Sequence, residues 1–272
     1  MSLGIVIKGP EGIVLAADSR VTLAPQMPDG TRIPVNFDNA RKILNFQDHK
    51  YVGAVTYGLA GIGLRTAYSL LPEFEAKLPS DRLTVKQFAD KLSEFFKDQW
   101  SAVPPPPPPP PSAPPQNITF VVAGYNKGEP YGEVYLIEIP NSPTPIQHHL
   151  SPSFGITWGG QREIVDRLVR GYDERVIPII QRVLSLNPNQ LPPLLGNLGQ
   201  LALNIPIQFL SLQDCIDLAI FSIRTTIEVQ RLVMGIRGVG GKIDVAIITR
   251  QEKEGFTFIQ QKELRGEYVS QS

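Results

Sequence analysis

Residues 12–20 read Gly-Ile-Val-Leu-Ala-Ala-Asp-Ser-Arg, and residues 3–8 before them form another apolar run rich in β-branched side chains. The segment Gly9–Gly12 between the two runs contains a proline and two glycines, which is typical of a turn. The pattern therefore predicts a β-hairpin whose second strand covers residues 13–19.

The register of this hairpin decides which polar groups meet at its open end. If the turn is centred between Pro10 and Glu11, facing residues have numbers that sum to about 21, within a residue or two. Leu3 then faces Asp18, and the Asp18 carboxylate lies within side-chain reach of Ser2. The sequence thus predicts a buried acid beside the start of the chain.

Ser2 has the chemistry of an N-terminal nucleophile. Removal of Met1 is favoured when the next residue is as small as serine, and it leaves Ser2 with a free α-amine beside its own hydroxyl. The amine can then serve as the base that activates the hydroxyl. No propeptide precedes the first strand, so we expect the mature chain to begin at Ser2.

A second hairpin is predicted from the runs Lys42–Phe46 and Tyr51–Tyr57. By the same arithmetic Lys42 lies opposite about Val55, at the open end where Gly58 also lies. Each hairpin therefore brings polar groups or a glycine to its open end, and spacing alone leaves open whether the two ends meet.

With these features the sequence resembles a known family, the proteasome-type N-terminal nucleophile (Ntn) hydrolases, which include the bacterial proteasome β subunits. Five motifs carry the resemblance, in order over most of the chain: Gly12–Arg20, Arg41–Ile43, Gly53–Gly58, Trp158–Gln161 at the start of a helix, and Gly240–Val245. The Ala-Ala-Asp-Ser-Arg string is the specific one. The resemblance implies an α+β protein with a four-layer αββα sandwich, the fold of Ntn hydrolases and proteasome subunits.

The resemblance also implies roles for individual residues. Ser2 falls on the nucleophile position, Asp18 on the orienting acid, Lys42 on the catalytic lysine and Gly58 on the oxyanion-hole glycine. It implies peptide-bond hydrolysis without metal or cofactor, a ring of identical subunits, peptide or unfolded-protein substrates, and an ATP-dependent unfoldase as a candidate partner. Without the resemblance, a structural alternative stays open for three of these residues. Asp18 would then only end a strand, Lys42 would be a solvated residue at a strand start, and Gly58 would be a turn glycine.

The sequence also departs from the family pattern. The stretch 235–241 lacks the Asp and Ser that usually precede the late Gly-Gly and hold the N-terminal amine. Gly159 stands where a supporting Ser is common, and Ser2 lacks the γ-methyl of threonine that restrains χ1. Two alternatives to a ring-forming peptidase therefore remain: a catalytically inactive ring scaffold and a non-proteolytic amidohydrolase.

Composition limits the other classes of function. The 272 residues carry 26 basic and 26 acidic side chains, so no net basic field favours nucleic acid. Cys215 is the single cysteine, which excludes an intrachain disulfide and a cysteine-rich metal site. The apolar start ends at Lys8, too short for a signal peptide or membrane span. We expect a cytoplasmic protein without a membrane partner.

The coarse periodicity completes the architecture. Helical spacing is predicted over Gly61–Leu78 (with Pro72 as a break or kink), Thr84–Trp100, Arg162–Leu184 and Ser211–Val233, the last with a capping signal. Further hairpins are predicted from Ile118–Tyr125 with Glu133–Ile139, and from Ile243–Thr249 with Phe256–Lys262. Two sheets covered by helix pairs would bury strands this apolar on both faces.

We expect a single domain over residues 1–272 with two insertions. The segment 101–116 contains eight consecutive prolines, which form an extended polyproline II linker or, less favoured, a ligand for an SH3-like groove. The segment 187–207 is rich in Leu, Pro and Asn, and packs on a neighbouring subunit or on its own helix layer. Adjacent His148 and His149 would point to opposite faces of a strand, which argues against a shared metal.

Overall fold

The computed structural model describes residues 2–23, 31, 33–104, 116–251 and 255–263. The strands are Leu3–Lys8 (β1), Ile13–Ala17 (β2), Val21–Leu23 (β3), Val35–Phe37 (β4), Ile43–Asn45 (β5), Val52–Gly58 (β6), Ile118–Gly124 (β7), Glu133–Ile139 (β8), Ser142–His148 (β9), Gly155–Gly160 (β10), Asp244–Ile248 (β11) and Phe256–Gln260 (β12). The α-helices are Leu71–Glu75 (α1), Val85–Ser101 (α2), Glu163–Val169 (α3), Val176–Val183 (α4), Leu191–Gly199 (α5) and Leu212–Leu232 (α6).

The strands form two five-stranded antiparallel sheets and a short ribbon of β3 and β4. One sheet has the order β10-β1-β2-β11-β12, and the other has the order β5-β6-β7-β8-β9. Helix α2 packs on the outer face of the second sheet, and α3 and α6 cover the outer face of the first. The layers are therefore α, β, β and α, which confirms the predicted fold class.

Period-2 alternation in β1 explains why this strand is buried on both faces. Leu3, Ile5 and Ile7 pack toward the helices, whereas Val6 packs toward the other sheet. Successive side chains of a strand point to opposite faces, so a strand between a sheet and a helix layer must be apolar throughout. The predicted burial of both faces is confirmed.

The two long helices begin where their capping signals lie. The Thr84 hydroxyl accepts from the backbone N–H of Gln87, whose side chain accepts from the Thr84 N–H, and Ser211 and Asp214 form the same reciprocal pair. Such capping boxes satisfy N–H groups that a helix start leaves without intrahelical partners. Both predicted helices are confirmed to within a residue or two.

Two of the predicted helices are wrong in extent. Over 61–78 only residues 68–75 are helical, because Ile62 and Arg65 bond each other's backbone in a turn. Pro72 lies in the first turn of α1, where its missing N–H costs nothing, and so it starts this helix instead of breaking one. The predicted helix 162–184 is split into α3 and α4 at Gly171, which has φ +81°.

The sequence patterns missed four strands. β9 contains Pro143 and Pro145, which suit its place at the edge of a sheet, and β10 contains three glycines, so neither has a strand-like composition. The ribbon of β3 and β4 is short and largely exposed. The predicted hairpins accordingly account for the inner strands of both sheets.

Of the two predicted insertions, the polyproline run lies for its larger part outside the described residues. The segment 187–207 contains α5, in which no side chain is buried. Its end does pack locally, because Ile205 and Ile207 join the apolar cluster under α6 and the Leu203 N–H donates to the Val169 carbonyl. The division into one domain with two insertions stays a prediction.

Candidate active site

The four predicted site residues lie at the ends of strands. Ser2 immediately precedes β1, and Asp18 immediately follows β2. Lys42 immediately precedes β5, and Gly58 is the last residue of β6. The layering of the two sheets therefore places the open ends of the two hairpins at one end of the sandwich.

The first hairpin has the predicted register. Gly4 pairs with Ala17, so facing residue numbers sum to 21. Beyond the last pair, the Leu3 N–H donates to Oδ1 of Asp18 at 2.9 Å, and the Asp18 N–H donates to the Leu3 carbonyl at 3.3 Å. The predicted juxtaposition of Asp18 and Leu3 is confirmed. Ser2 is therefore one residue from the Asp18 carboxylate.

The second hairpin differs from its predicted register by one residue. Ile43 pairs with Val55, and the Thr56 N–H donates to the Lys42 carbonyl at 2.8 Å, so Lys42 faces Thr56. The side chain of Lys42 nonetheless reaches the first hairpin. Its Nζ lies 2.6 Å from Oδ1 of Asp18, and the side chains of the pair are 5% and 0% exposed. The two open ends meet in a buried ion pair.

Asp18 is saturated with donors. Besides Leu3 and Lys42, which bond Oδ1, the backbone N–H groups of Gly240 and Arg20 donate to Oδ2 at 3.0 and 3.1 Å. A buried carboxylate is stable when its lone pairs accept several N–H bonds and a cation lies beside it. Asp18 thus ties together the start of β1, the end of β2 and the Gly-Gly loop before β11.

Lys42 experiences opposing effects. Burial lowers the pKa of Lys42, while the Asp18 charge and hydrogen bond raise it, and the net direction is downward. The nearby Lys262 ammonium lowers this pKa further, and Asp38 raises it. The Lys42 ammonium also donates to the Arg20 carbonyl at 2.5 Å. These two acceptors therefore fix both the position of the Lys42 ammonium and the direction of its N–H bonds.

Ser2 is buried, and its backbone is held tightly. The Gln161 N–H donates to the Ser2 carbonyl at 2.7 Å. Gly160 has φ +95°, and a Cβ at this position would lie 1.9 Å from the Ser2 carbonyl oxygen. Only glycine permits this approach. The end of β10, in the motif predicted to start a helix, thus positions the first residue of the predicted mature chain.

Gly58 is required by the backbone whatever its chemical role. Its φ is +90°, and a Cβ here would lie 2.3 Å from the Asn117 carbonyl oxygen. That carbonyl accepts the N–H of Leu59 at 2.8 Å. The turn-glycine interpretation is thus sufficient for the fold, and the role of the Gly58 N–H as an oxyanion donor stays a prediction.

The structure explains one departure from the family pattern. A Cβ at Gly159 would lie 2.3 Å from the hydroxyl oxygen of Tyr57, and a Cβ at Gly4 would lie 2.8 Å from the Tyr57 ring. The Tyr57 ring therefore fills the space that a serine at 159 would need. Tyr57 is buried, and burial raises the pKa of its hydroxyl above the usual value.

The loop before β11 is held by groups other than the absent Asp and Ser. Arg20 donates from Nε and Nη2 to the two carboxylate oxygens of Asp38, and it reaches the loop by donating from Nη1 to the Arg237 carbonyl at 3.3 Å. The Ser19 N–H donates to the Gly240 carbonyl, and the Ser19 hydroxyl, which has a single proton to donate, lies 2.9 and 2.7 Å from the carbonyl oxygens of Asp38 and Lys242. Sequence reasoning missed these supporting roles, although Ser19 and Arg20 belong to the motif that carried the resemblance.

Two other groups near the predicted motifs have clear positions. Arg237 and Lys242, on either side of Gly240-Gly241, are exposed. The two histidines at the end of β9 behave differently from the prediction. His149 has φ +51°, so both rings turn toward Thr157, with ring nitrogens 3.2 and 3.1 Å from its hydroxyl. The predicted opposite orientation of the two rings is therefore wrong.

Among the described residues, these two histidines do not belong to a larger group of metal-ligating side chains. Within residues 2–23, 31, 33–104, 116–251 and 255–263, no group of three or more His, Cys, Asp or Glu side chains could hold a metal ion. The adjacent Lys8 is fully buried, and its Nζ donates to the His149 carbonyl at 2.7 Å. Desolvation lowers the pKa of Lys8 and of both histidines.

A cleft of about 600 Å³ lies at the turns that join β5 to β6, β7 to β8 and β11 to β12. Its lining includes Lys50, Arg82, Lys127 and Arg250, and it contains none of the four predicted site residues. Because these turns are at the opposite end of the strands, the cleft is separate from the Asp18–Lys42 pair.

Among the described residues, none of the helices combines the length and the hydropathy of a transmembrane span.

Comparison with known proteins bears on the fold. No protein-family profile matches the chain, and no curated protein matches it. A solved structure of the Anbu Gly-1 mutant from Hyphomicrobium sp. strain MC1 is 14% identical with a TM-score of 0.55, over 96% of this chain and 86% of that one. The helical assembly of the Anbu complex from Pseudomonas aeruginosa is 16% identical with a TM-score of 0.54, over 92% and 82%. Anbu has a proteasome-like Ntn fold, and this chain shares that fold.

Proposed function

We propose that the chain is a proteasome-like peptidase in which Ser2, freed by removal of Met1, attacks the carbonyl carbon of a peptide bond. The observation that carries the proposal is the buried Asp18–Lys42 pair, whose carboxylate also binds the Leu3 N–H beside Ser2. An ion pair that only stabilised the fold would not need to lie beside Ser2. Buried titratable pairs with a shifted pKa cluster at functional sites, which supports this interpretation.

The proposed reaction is acyl transfer. Oγ of Ser2 bonds to the carbonyl carbon while the Ser2 α-amine accepts the hydroxyl proton through a water, its ordinary pKa of ~7.7 to 8.0 being close to neutral pH. The proton passes to the departing amine as the C–N bond breaks, and water then hydrolyses the resulting ester. The Lys42 ammonium, held by Asp18 and the Arg20 carbonyl, disfavours protonation of the amine.

The Gly58 N–H is proposed to bind the oxyanion of the tetrahedral intermediate. One such donor contributes roughly 3 to 4 kcal/mol in other hydrolases. The proposed reaction uses no metal or cofactor, because the nucleophile, the base and the oxyanion donor all come from the chain itself. The residues of this proposal are therefore Ser2, Asp18, Lys42 and Gly58.

We further propose that the active form is a ring of identical subunits that takes up peptides or unfolded protein, delivered by an ATP-dependent unfoldase in the cytoplasm. Apolar side chains are exposed on and after α4, including Ile179, Val183 and Leu184. Exposed apolar groups of this kind are typical of interaction surfaces. The helical assembly of the Anbu complex supports self-association of a chain with this fold.

An inactive ring scaffold is the second candidate, and two observations favour it. The position before Gly240 is Val239, whose N–H donates to Gln230, and no acid lies there to bind an N-terminal amine. The place of a supporting serine at 159 is filled by Tyr57. Both observations concern support of the nucleophile, whereas the Asp18–Lys42 pair is complete.

The test compares variants at Ser2 and Lys42 on fluorogenic peptides and small amides. Ser2→Ala and Lys42→Met should abolish hydrolysis, while Ser2→Thr, which keeps the hydroxyl, should retain it. Lys86→Met on the exposed face of α2 is the matched control and should leave turnover unchanged. Turnover of small amides alone would favour an amidohydrolase, and no turnover by the processed wild-type protein would favour the scaffold.

A further inference from the structure

A second buried lysine–aspartate pair lies beside the first. The ammonium of Lys262 bonds Oδ2 of Asp244, and the backbone N–H of Lys262 donates to Oδ1 at 2.8 Å. The side chains of the pair are 2% and 5% exposed. Asp244 begins β11, and Lys262 follows the end of β12 by two residues. Asp244 thus binds both the backbone N–H and the side-chain ammonium of Lys262, which fixes the direction of the lysine side chain.

The Lys262 ammonium reaches the segment that carries Lys42. Nζ of Lys262 donates to the Ala40 carbonyl at 2.7 Å, two residues before Lys42. The Ala40 N–H in turn donates to the Ser19 carbonyl at 2.9 Å, one residue after Asp18. A continuous line of contacts therefore runs from Asp244 through Lys262 and Ala40 to the backbone that carries Asp18.

The charge of Lys262 also acts on the site. Burial lowers the pKa of Lys42, Asp18 and Asp38 raise it, and the charge of Lys262 lowers it. The repulsion between these two buried ammonium groups is unfavourable for folding. A purely structural role in packing the two sheets therefore does not explain a lysine at position 262. A buried ion pair can often be replaced by an apolar pair without loss of stability.

We propose that Lys262 is a positioning residue for Lys42: held by Asp244, it fixes the Ala40 carbonyl and with it the backbone that directs Lys42 toward Asp18. This inference rests on the proposed function, in which Lys42 must face the Ser2 amine. Substrate does not need to touch Lys262. Its removal should therefore slow turnover while leaving substrate binding largely intact, because small displacements of a catalytic group cost up to about 10²-fold.

The test uses the full-length chain with two variants. Lys262→Met removes the donor to Ala40 but leaves Asp244 buried without its cation, which can itself unfold the protein. The double variant Asp244→Asn/Lys262→Met removes both charges and still lacks that donor, so it separates positioning from stability. Lys86→Met, from the exposed pair with Asp90, serves as the control for loss of a lysine.

The readouts are kcat, KM and the pKa of Lys42 from ¹³Cε chemical shifts between pH 7 and 11. The double variant should fold, lose at least about tenfold in kcat with KM within about twofold, and show a shifted Lys42 pKa, because both charges and a backbone contact near Lys42 are gone. A folded double variant with wild-type kcat would overturn the proposal, whatever its Lys42 pKa. If the wild-type chain has no turnover, the proposed function fails; an unchanged Lys42 pKa in the double variant would then overturn the positioning as well, whereas a shifted pKa would support it.

Discussion

Replacing Asp18 by asparagine should destabilise the fold far more than removing Lys42. Asn keeps the shape of Asp18 but loses the charge, so the Lys42 ammonium is left buried beside a neutral amide. Lys42→Met leaves the Asp18 carboxylate with the backbone N–H groups of Leu3, Gly240 and Arg20, which continue to stabilise its charge. The two halves of one ion pair are therefore not equivalent.

The magnitude follows from the cost of leaving Lys42 unpaired. Breaking a buried pair by removing one partner costs about 3 to 5 kcal/mol. Lys42 can avoid being buried as an unpaired charge by losing its proton. At pH 7, this deprotonation costs about 5 kcal/mol for a lysine whose unfolded pKa is ~10.4. We therefore expect Asp18→Asn to lower the free energy of unfolding by about 3 to 5 kcal/mol at pH 7.

The unpaired, buried Lys42 should also make the stability of Asp18→Asn depend on pH. In the variant, folded Lys42 is neutral over a pH range in which unfolded Lys42 is protonated, so the unfolded state binds more protons and stability rises with pH. The cost of Asp18→Asn should therefore shrink between pH 7 and pH 9, by up to about 1.4 kcal/mol per pH unit. In the wild-type chain the Asp18 charge raises the pKa of Lys42 and so opposes its deprotonation. The free energy of unfolding of the wild type should therefore change less between pH 7 and pH 9.

Urea unfolding of four proteins measures these quantities: the wild type, Asp18→Asn, Lys42→Met and the double variant. The double variant should be more stable than Asp18→Asn alone, because no unpaired ammonium remains. Asp90→Asn, at the exposed pair with Lys86, is the control and should cost less than about 1 kcal/mol. A cost of Asp18→Asn below about 1 kcal/mol at pH 7, or one that does not shrink at pH 9, would refute the reasoning.

Three further predictions concern the backbone, the histidines and assembly. Gly160→Ala should destabilise the protein by more than about 3 kcal/mol in thermal or urea unfolding, since strain at φ +95° adds to a close contact, whereas Gly196→Ala, in a helix with open space around it, should be neutral or stabilising by up to about 1 kcal/mol. Because burial lowers the pKa of His148 and His149, the folded state keeps them neutral; the free energy of unfolding should fall as pH drops below about 6.5, and replacing both by Gln should reduce this fall. Light scattering should show a homo-oligomer whose mass is unchanged when residues 104–111 are replaced by a Gly/Ser linker of equal length; a monomeric wild type would argue against the ring.

The parts of the fold that were predictable are those set by local chemistry. The Gly9–Gly12 turn and the alternation around it predicted the register of the first hairpin, and with it the contact between Leu3 and Asp18. The second hairpin was one residue off, because Lys42 faces Thr56. Turn residues there carry weaker conformational preferences than Pro and Gly. Local patterns also predicted the capped helices α2 and α6.

The missed elements depend on tertiary context. β9 and β10 contain prolines and glycines, and they become strands because an existing sheet edge supplies partners for their backbone groups. The helix predicted over 61–78 shortens because Gly61 and Gly63 fit a turn. Intrinsic propensity is a weak guide wherever such contacts decide the conformation.

The supporting residues of the site were beyond sequence reasoning for a related reason. Lys262 and Ala40 are separated by 222 positions, and Gly240 and Asp18 by the same number. No local spacing relates such residues. Asp18 and Lys42, by contrast, lie at the ends of two predictable hairpins, so their positions at strand ends followed from the sequence while their contact required the structure.

Ser2, as the first residue of the mature chain, is the proposed nucleophile, and mass spectrometry can detect its reaction directly. Intact and peptide masses are measured after incubation with a β-lactone probe, in which the attacking hydroxyl opens the ring and retains the whole mass of the probe. We expect a chain that lacks Met1 and carries one probe on the N-terminal peptide beginning at Ser2, with no adduct on the Ser2→Ala variant. A chain that retains Met1, or a probe attached elsewhere while Ser2 is unmodified, would contradict the claim.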